Sequence, residues 1–204
     1  MYFDEEAAKW DTERRIKRAK ILSDLISEKI NNTKRLTALE IGCGTGLISC
    51  NLIDKFEIIY CMDASKEMQQ VLRNKIKKFN ISNIEVLEEN IIYSSSFYEK
   101  FDVVYSSMVF HHIDDIEDEL IKIYKLLKPN GMVIIIDLDE EDGRFHAEEK
   151  DFHGHNGFNR DELKTLMEKC KFKDVLFENA YEGKKEMKDE VLDYSLFLGC
   201  GIKK

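Results

Sequence analysis

Residues 39–46 read "LEIGCGTG", and this stretch decides the fold of the region around it. Three glycines, Gly42, Gly44 and Gly46, occupy alternate positions directly behind a short apolar run and an acidic residue, Glu40. A glycine-rich turn after a strand lets the backbone approach a nucleotide closely, because glycine has no Cβ. The stretch therefore predicts a strand that ends at a nucleotide-type ligand.

The spacing of the glycines separates the candidate ligands. A dinucleotide turn has the pattern G-x-G-x-x-G, whereas this turn is E-x-G-x-G-x-G, one residue shorter, and a phosphate loop of the form G-x-x-x-x-G-K-[ST] is absent. A carboxylate at Glu40 would repel a phosphate but would suit a cationic ligand. S-adenosylmethionine has a sulfonium, an ammonium and no phosphate, so the turn favours S-adenosylmethionine over NAD.

The composition is typical of one globular domain. The chain has 204 residues, of which 43% are hydrophobic and 35% charged, with a net charge of -9. An acidic chain repels phosphate backbones on average, so no nucleic-acid partner is expected. Five scattered cysteines without a CxxC pair indicate reduced thiols, and no apolar run has the roughly 20 residues of a membrane helix. With no signal-peptide pattern at the start, we expect a cytoplasmic protein with no membrane partner.

Apolar segments with strand and helix character alternate along the chain. This alternation predicts an α/β fold, a doubly wound parallel sheet with helices on both faces. A further helix is predicted to follow the glycine turn through about residue 55. The predicted strands are 35–41, 57–63, 84–90, 101–109, 132–139, 174–181 and 194–202, and the other predicted helices are 11–31, 65–79, one from Asp114 or Asp115 to 127, and 159–170.

The ends of the other strands carry side chains that suit an adenosyl ligand, because ligands of such sheets bind beyond the carboxyl ends of the strands. Asp63 ends the second strand, 21 residues after Gly42, where an acid accepts hydrogen bonds from ribose hydroxyls. Asn90 ends the third strand and can bond an adenine edge, while Ile91 can pack on the base. Ser106 and Ser107, at the end of the fourth strand, are predicted to face the cofactor.

The order of "LEIGCGTG", "YCMDAS", "VLEENI", "FDVVYSSMVFHHIDD" and "LLKPNGMVIIID" resembles the class I S-adenosylmethionine-dependent methyltransferases over residues 34–139. Within them, the chain is similar to small-molecule enzymes of the ubiquinone/menaquinone C-methyltransferase-like branch. The resemblance implies a seven-stranded sheet whose last strand is antiparallel, with S-adenosylhomocysteine as product. Many relatives have aspartate at the position of Asn90. The predicted cofactor site is Glu40, Gly42, Cys43, Gly44, Gly46, Asp63, Ala64, Asn90, Ile91 and Ser106.

Histidines supply the candidate bases. His111 follows the fourth strand near the expected methyl group, and imidazole titrates near neutral pH. His153 and His155 lie in the long loop 143–158, a length typical of a functional cover. These three are the predicted catalytic residues. The H-x-H pair, with Asp139, Glu140 and Asp151 near it, lacks a tightly spaced third ligand, so no metal site is predicted.

Residues 1–31 are predicted to be a helical lid over a catalytic core of residues 34–204, in a single domain 1–204. Tyr2, Phe3 and Trp10 of the lid, with His112, are predicted to contact the acceptor. The basic run 14–20 is predicted to be a solvent-exposed helix face.

The function predicted from the sequence is methyl transfer from S-adenosylmethionine to a small-molecule acceptor. Two alternatives remain open at this point: a subunit that binds S-adenosylmethionine without catalysis, and an NAD-dependent oxidoreductase. The sequence identifies neither the acceptor atom nor the oligomeric state.

Overall fold

The computed structural model describes residues 2–30, 36–88, 90–149, 152–188 and 190–204. A seven-stranded sheet, in the order β3-β2-β1-β4-β5-β7-β6, forms its centre, and β7 runs antiparallel to both of its neighbours. This confirms the predicted fold class. The strands are β1 Leu36–Ile41, β2 Phe56–Met62, β3 Ile84–Val86, β4 Phe101–Ser107, β5 Leu127–Leu138, β6 Phe172–Glu186 and β7 Val191–Lys203.

The helices are α1 Tyr2–Glu6, α2 Glu13–Lys29, α3 Lys66–Phe79, α4 Ile116–Leu126 and α5 Arg160–Lys169. Side chains cap four of them as acceptors of backbone N–H groups: Thr12 for α2, Ser65 for α3, Asp115 for α4 and Asn159 for α5. Such caps satisfy N–H groups that lack partners inside the helix. These contacts place the caps of α3 and α5 at Ser65 and Asn159. They also show that Asp115, rather than Asp114, caps α4.

The central strands are apolar at nearly every position because both faces of the sheet are covered. Successive residues of a strand point to opposite faces of the sheet, so the side chains of each strand pack into two separate hydrophobic cores. Ala38 of β1 and Ile134 of β5 belong to one core, and Leu39 and Ile135 to the other. In the described residues no helix is long and apolar enough to cross a bilayer.

Three sequence-based predictions about the elements are wrong. The helix expected after the glycine turn is a single 3-10 turn, Ser49–Asn51, in which the Ser49 hydroxyl bonds the Glu40 carboxylate instead of solvent. Ile16 and Phe79 belong to the apolar stripes that predicted the helices 11–31 and 65–79, yet both are exposed. The third strand ends at Val86, four residues before its predicted end at Asn90.

The charged segment 182–193 was predicted to connect the last two strands, but it extends them. β6 continues to Glu186 and β7 begins at Val191, so the two strands form a long hairpin. This hairpin holds two neighbouring segments: Lys184 O accepts from the Arg14 guanidinium at 2.8 Å, and Lys185 Nζ lies 4.3 Å from the Phe145 ring centre. The N-terminal helices and the loop around residue 145 are thereby fixed on one side of the sheet. Arg35, the predicted start of β1, lies outside the described residues.

Candidate active site

A cavity of about 540 Å³ opens beyond the carboxyl ends of β1, β2 and β4. This is the edge at which open parallel sheets bind their ligands. The glycine turn forms one wall of the cavity, and the N-terminal segment with Phe3 and Trp10 covers it. The side chains at this edge are therefore the candidates for function.

The glycine turn is fixed to the end of β2, because the N–H groups of Gly42 and Cys43 both donate to Met62 O, at 2.9 and 3.0 Å. Gly42 has a φ of 68°, and a Cβ at this position would overlap the methyl groups of Val109. Gly44 has a φ of 52°, and the nearest atom to a Cβ there is Trp10 Nε1 at 3.9 Å. Both glycines line the cavity, and Gly44 is the one with open space at the Cβ position.

Cys43 and Gly46 were also predicted to contact the cofactor, and they differ in whether they reach the cavity. Cys43 lines the cavity, and a hydrogen bond with Cys61, together with burial, raises the pKa of its thiol. Gly46 does not line the cavity, since it packs under the Leu72 side chain of α3. The structure therefore assigns Gly46 to helix packing and corrects its predicted contact with the cofactor.

Asp63, directly after β2, lies beside the turn. Its Oδ2 accepts from Gly44 N at 2.7 Å and its Oδ1 from Ser65 N at 2.8 Å. Each oxygen keeps a lone pair for another donor. Burial raises the pKa of Asp63 from its ordinary value. Asp63 and its neighbour Ala64 both line the cavity.

Glu40 lies at the floor of the cavity and is buried. Its carboxyl group accepts from Ser49, whose Oγ also lies 2.7 Å from Tyr105 Oη and 3.2 Å from Cys61 Sγ. Burial raises the pKa of Glu40 to about 8. The structure therefore changes the electrostatic argument from the sequence: near neutral pH this group is mainly a protonated carboxyl, and a cation beside it would favour its ionisation.

The predicted adenine and fourth-strand contacts are partly wrong. Asn90 lines the cavity, and its Oδ1 accepts from Ile92 N at 3.0 Å, which leaves the amide NH₂ as a donor. Ile91 is buried in the core and does not line the cavity. Ser106 is also buried, because its Oγ donates to Ile41 O at 3.0 Å on the inner side of the sheet. Ser107, the other serine predicted to face the cofactor, does line the cavity.

Phe3 and Trp10 of the N-terminal segment line the cavity. The Phe3 ring lies edge-on to Trp10 at 5.6 Å and to His112 at 5.4 Å between ring centres. Asp4, the next residue of the same short helix, accepts a hydrogen bond from Ser65 Oγ at 2.6 Å. The predicted contact of the Tyr2 side chain falls outside the part of the chain that the structure describes.

The basic run 14–20 is not wholly solvent-exposed. Arg15 and Arg18 line the cavity, one helical turn apart on α2, while Arg14 and Lys17 are exposed. The Arg15 guanidinium lies 3.8 Å from the Trp10 ring centre, and Arg18 donates to Tyr194 Oη at 3.1 Å. The spacing of three residues that places both arginines on one face was visible in the sequence.

Of the histidines, His112 lines the cavity and His111 does not. His111 is buried, and its Nδ1 donates to Asp137 Oδ1 at 2.5 Å. Burial, with His111 and His146 beside it, lowers the pKa of His112 to about 4. The structure therefore corrects the predicted catalytic role of His111: of the two, His112 is the one that a ligand can reach.

The two histidines of the H-x-H pair are not at the cavity. His153 is exposed, and the His155 ring lies 2.9 Å from Ile113 O. Asp139, considered as a metal ligand, is paired with Arg160, while Asp151 lies outside the described residues. His146 was not assigned from the sequence, yet it lies beside His111 and His112. Only the fold brings it there, since no motif links residue 146 to residue 111.

Comparison with known proteins gives the family. Residues 39–135 match the methyltransferase domain family. The chain is 33% identical over 161 residues to an uncharacterized methyltransferase of Schizosaccharomyces pombe, covering 71% of this chain and 54% of that protein. It is 30% identical over 113 residues to the ubiquinone biosynthesis O-methyltransferase of Pelagibacter ubique, covering 52% of this chain and 44% of the relative. The chain thus spans about half the length of these curated relatives.

The fold is also that of a solved phosphoethanolamine N-methyltransferase 2 of Haemonchus contortus, in complex with phosphomonomethylethanolamine and S-adenosylhomocysteine. The TM-score is 0.73 at 17% identity, over 89% of this chain and 52% of that one. Similarity to the ubiquinone/menaquinone C-methyltransferase-like branch stays a prediction. The sheet order, the glycine turn and these matches together show that the chain belongs to the class I S-adenosylmethionine-dependent methyltransferases.

Proposed function

We propose that the chain transfers the methyl group of S-adenosylmethionine to a small-molecule acceptor that enters the same cavity. The observation that carries this proposal is the cavity itself, whose lining includes the glycine turn, Asp63, Phe3, Trp10 and His112. Its volume of about 540 Å³ falls in the range of small-molecule sites.

The residues at the turn suit the cofactor. Asp63 offers carboxylate lone pairs to ribose hydroxyls, and the Asn90 amide offers N–H donors to an adenine ring nitrogen. Gly44 leaves open space beside the turn. Arg15 and Arg18 provide positive charge for the methionine carboxylate or for an acidic acceptor.

The chemistry follows from placement. When bound, the cofactor would supply a methyl group on a sulfonium, and the neutral thioether of S-adenosylhomocysteine would leave as the acceptor atom bonds the methyl carbon in line. The chain orients the two partners and excludes water beneath Phe3 and Trp10, and such positioning accounts for much of the rate of a two-substrate reaction. His112 is a weak base because its pKa is lowered to about 4. Acceptors that need little deprotonation are therefore favoured.

The test has two stages. Calorimetric titration with S-adenosylmethionine, S-adenosylhomocysteine and NAD should show micromolar binding of the first two and none of NAD. Formation of S-adenosylhomocysteine is then measured against a panel of small-molecule amines, phenols, thiols and carboxylates. Binding of NAD alone would contradict the proposal outright.

The alternative of a non-catalytic subunit gives a different result in the same experiment. It predicts binding of S-adenosylmethionine without methyl transfer to any acceptor. Trp10→Ala provides a comparison in both stages, since it removes part of the cover and leaves Asp63 and the glycine turn in place. We expect weaker binding and slower transfer in this variant.

A further inference from the structure

Three histidine rings meet beside the cavity, from two distant parts of the chain. The ring centres of His111 and His112 are 4.1 Å apart, those of His111 and His146 4.9 Å, and those of His112 and His146 5.4 Å. One ring nitrogen of each lies within 4.8 Å of those of the other two. The mechanism of methyl transfer given above uses only His112 of the three.

The separations are close to those of a three-histidine metal site. With a metal–nitrogen distance of about 2.1 Å and tetrahedral angles, the nitrogens lie about 3.4 Å apart and the ring centres about 5 Å apart. The observed ring centres are 4.1 to 5.4 Å apart. For one ion to bind all three, nitrogens that lie up to 4.8 Å apart would approach to about 3.4 Å, a change within reach of side-chain rotation.

The surroundings of His111 are those of a metal ligand. Its Nδ1 donates to Asp137 Oδ1 at 2.5 Å, and this fixes the ring and leaves Nε2 as the free acceptor. Metal-binding histidines commonly donate their second nitrogen to a carboxylate in this way. Asp137 is itself held by the N–H groups of Leu138 at 2.8 Å and Val109 at 3.1 Å.

One ring nitrogen of His146 lacks the partner that a buried histidine normally has. His146 Nε2 is buried without a hydrogen-bond partner. Nδ1 lies 2.9 Å from Glu149 Oε1, the separation of an ion pair, and Phe152 stacks on the ring at 3.9 Å. An unsatisfied buried polar atom lowers the stability of the fold by about 1–3 kcal/mol, so a ligand that bound Nε2 would remove that cost.

We propose that His111, His112 and His146 bind a divalent transition metal of the Zn²⁺ type, with the fourth coordination position open to the cavity. Neutral imidazole nitrogens suit such ions, and Asp137 and Glu149 balance the added charge. Three protein ligands and an open position are the arrangement of catalytic rather than structural zinc. His112 lines the cavity, so the open position faces it.

The role of the ion rests on the proposed function. Facing the cavity, it would hold an oxygen or nitrogen atom of the methyl acceptor beside the cofactor. Binding of the ion itself does not depend on methyl transfer, and the two proposals are therefore tested separately.

The experiment uses the whole chain, freed of metal with a chelator and titrated with Zn²⁺ and with Co²⁺, without cofactor or acceptor. We expect one ion per chain, a visible Co²⁺ spectrum of four-coordinate geometry, and no sulfur-to-cobalt band, which excludes the five cysteines as ligands. His146→Asn and His112→Asn should each weaken Zn²⁺ binding by at least tenfold. His153→Asn, in the same loop but exposed, should leave it unchanged.

Thermal unfolding with and without Zn²⁺ covers the case in which His146→Asn folds poorly. An ion that binds the native state raises the melting temperature of the wild type and of His153→Asn, but not of His112→Asn, whose side chain faces the cavity. Absence of stoichiometric binding in the wild type overturns the proposal. So does binding that neither the His112 nor the His146 variant weakens.

Discussion

The glycine turn and the histidine cluster differ in how the chain builds them. The turn is joined to the end of β2 by backbone hydrogen bonds, from Gly42 N and Cys43 N to Met62 O. His112 and His146 come from two distant segments and meet through their side chains, with ring centres 5.4 Å apart. The turn is thus a local property of two adjacent strands, whereas the histidine cluster is a product of the whole fold.

This difference has a physical consequence for substitutions. A turn fixed by backbone geometry has little freedom to adjust, because each residue's φ and neighbours are set by the strands. Side chains that meet across loops have rotamer freedom and can adjust when one of them changes. Substitutions at the turn should therefore affect folding, and those at the cover should affect binding.

The largest expected effect tests the rigidity of the turn. Gly42→Ala places a Cβ against the buried side of Val109 at a φ of 68°, so it combines backbone strain with overpacking. We expect a loss of about 3 kcal/mol in the free energy of unfolding. Urea denaturation followed by circular dichroism measures it.

Gly44→Ala is the matched control. It has a similar positive φ of 52° but open space at the Cβ position, so only the backbone cost of about 1 kcal/mol applies. Its effect should appear instead in weaker binding of S-adenosylhomocysteine. Equal losses of stability in the two variants would contradict the assignment of Gly42 to packing and Gly44 to the ligand.

The second prediction concerns Glu40 beneath the turn. Its pKa is about 8 in the folded chain, above the ordinary value of 4.5, so the folded state keeps a proton that the unfolded state has lost between these pH values. The contribution of Glu40 to stability is therefore full below pH 4.5 and is lost as the pH rises towards 8. Between about pH 6 and pH 8 the loss should be about 2 kcal/mol.

Glu40→Gln removes this titration, so the difference in stability between wild type and variant should shift in favour of the variant as the pH rises. Denaturation curves at several pH values measure it. Glu57→Gln, at an exposed position of β2, is the control and should not change the pH dependence. A parallel pH dependence in wild type and Glu40→Gln would show that Glu40 is ionised throughout.

The third prediction returns to the contact between turn and ligand. Asp63→Ala should weaken binding of S-adenosylhomocysteine at least tenfold, about 1.4 kcal/mol. It removes the carboxylate that would accept from the ribose hydroxyls and also the hydrogen bond from Gly44 N to Asp63 Oδ2. Calorimetry measures the affinity.

Asp102→Ala is the control for this variant. Asp102 also accepts a backbone N–H, from Thr37 at 2.8 Å, but at the opposite edge of the sheet. It should lower stability without changing the affinity for the ligand. An unchanged affinity in Asp63→Ala would refute the ribose assignment.

The same contrast explains which parts of the molecule the sequence predicted. Strands and capped helices follow from local pattern, so the sheet, the start of α3 at Ser65 and the position of Asp63 were all predicted. The face of the sheet to which a single side chain points is harder to predict from the sequence. Ser106 and Ile91 were each placed towards the ligand, yet both point into the core.

Long-range contacts account for the remaining differences. Arg15 and Arg18 looked like part of a charged surface, and only the packing of α2 over the cavity gives them another environment. His146 looked like one histidine among three in a loop. Its neighbours are set by a turn of the loop back towards β5, which no spacing in the sequence encodes. The predicted division into a lid of residues 1–31 and a core of residues 34–204 stays a prediction.

The smallest expected effect tests the cover at Trp10. Its ring lies near Gly44 and under the Arg15 guanidinium, so Trp10→Ala removes an aromatic face from the ligand side and releases Arg15. Aromatic contact with a cation is worth about 1 kcal/mol at a partly exposed site, which gives a loss of about fivefold in affinity for S-adenosylmethionine. The loss should arise from faster dissociation, since a cover slows escape more than entry. Stopped-flow displacement measures the rate of dissociation, and Phe79→Ala, which removes an exposed aromatic ring on α3, is the control.

Because the uncharged sulfur of S-adenosylhomocysteine lacks this attraction to an aromatic face, the affinity for S-adenosylhomocysteine should fall less in Trp10→Ala than the affinity for S-adenosylmethionine. An equal fall for both ligands would mean that Trp10 acts as a steric cover alone.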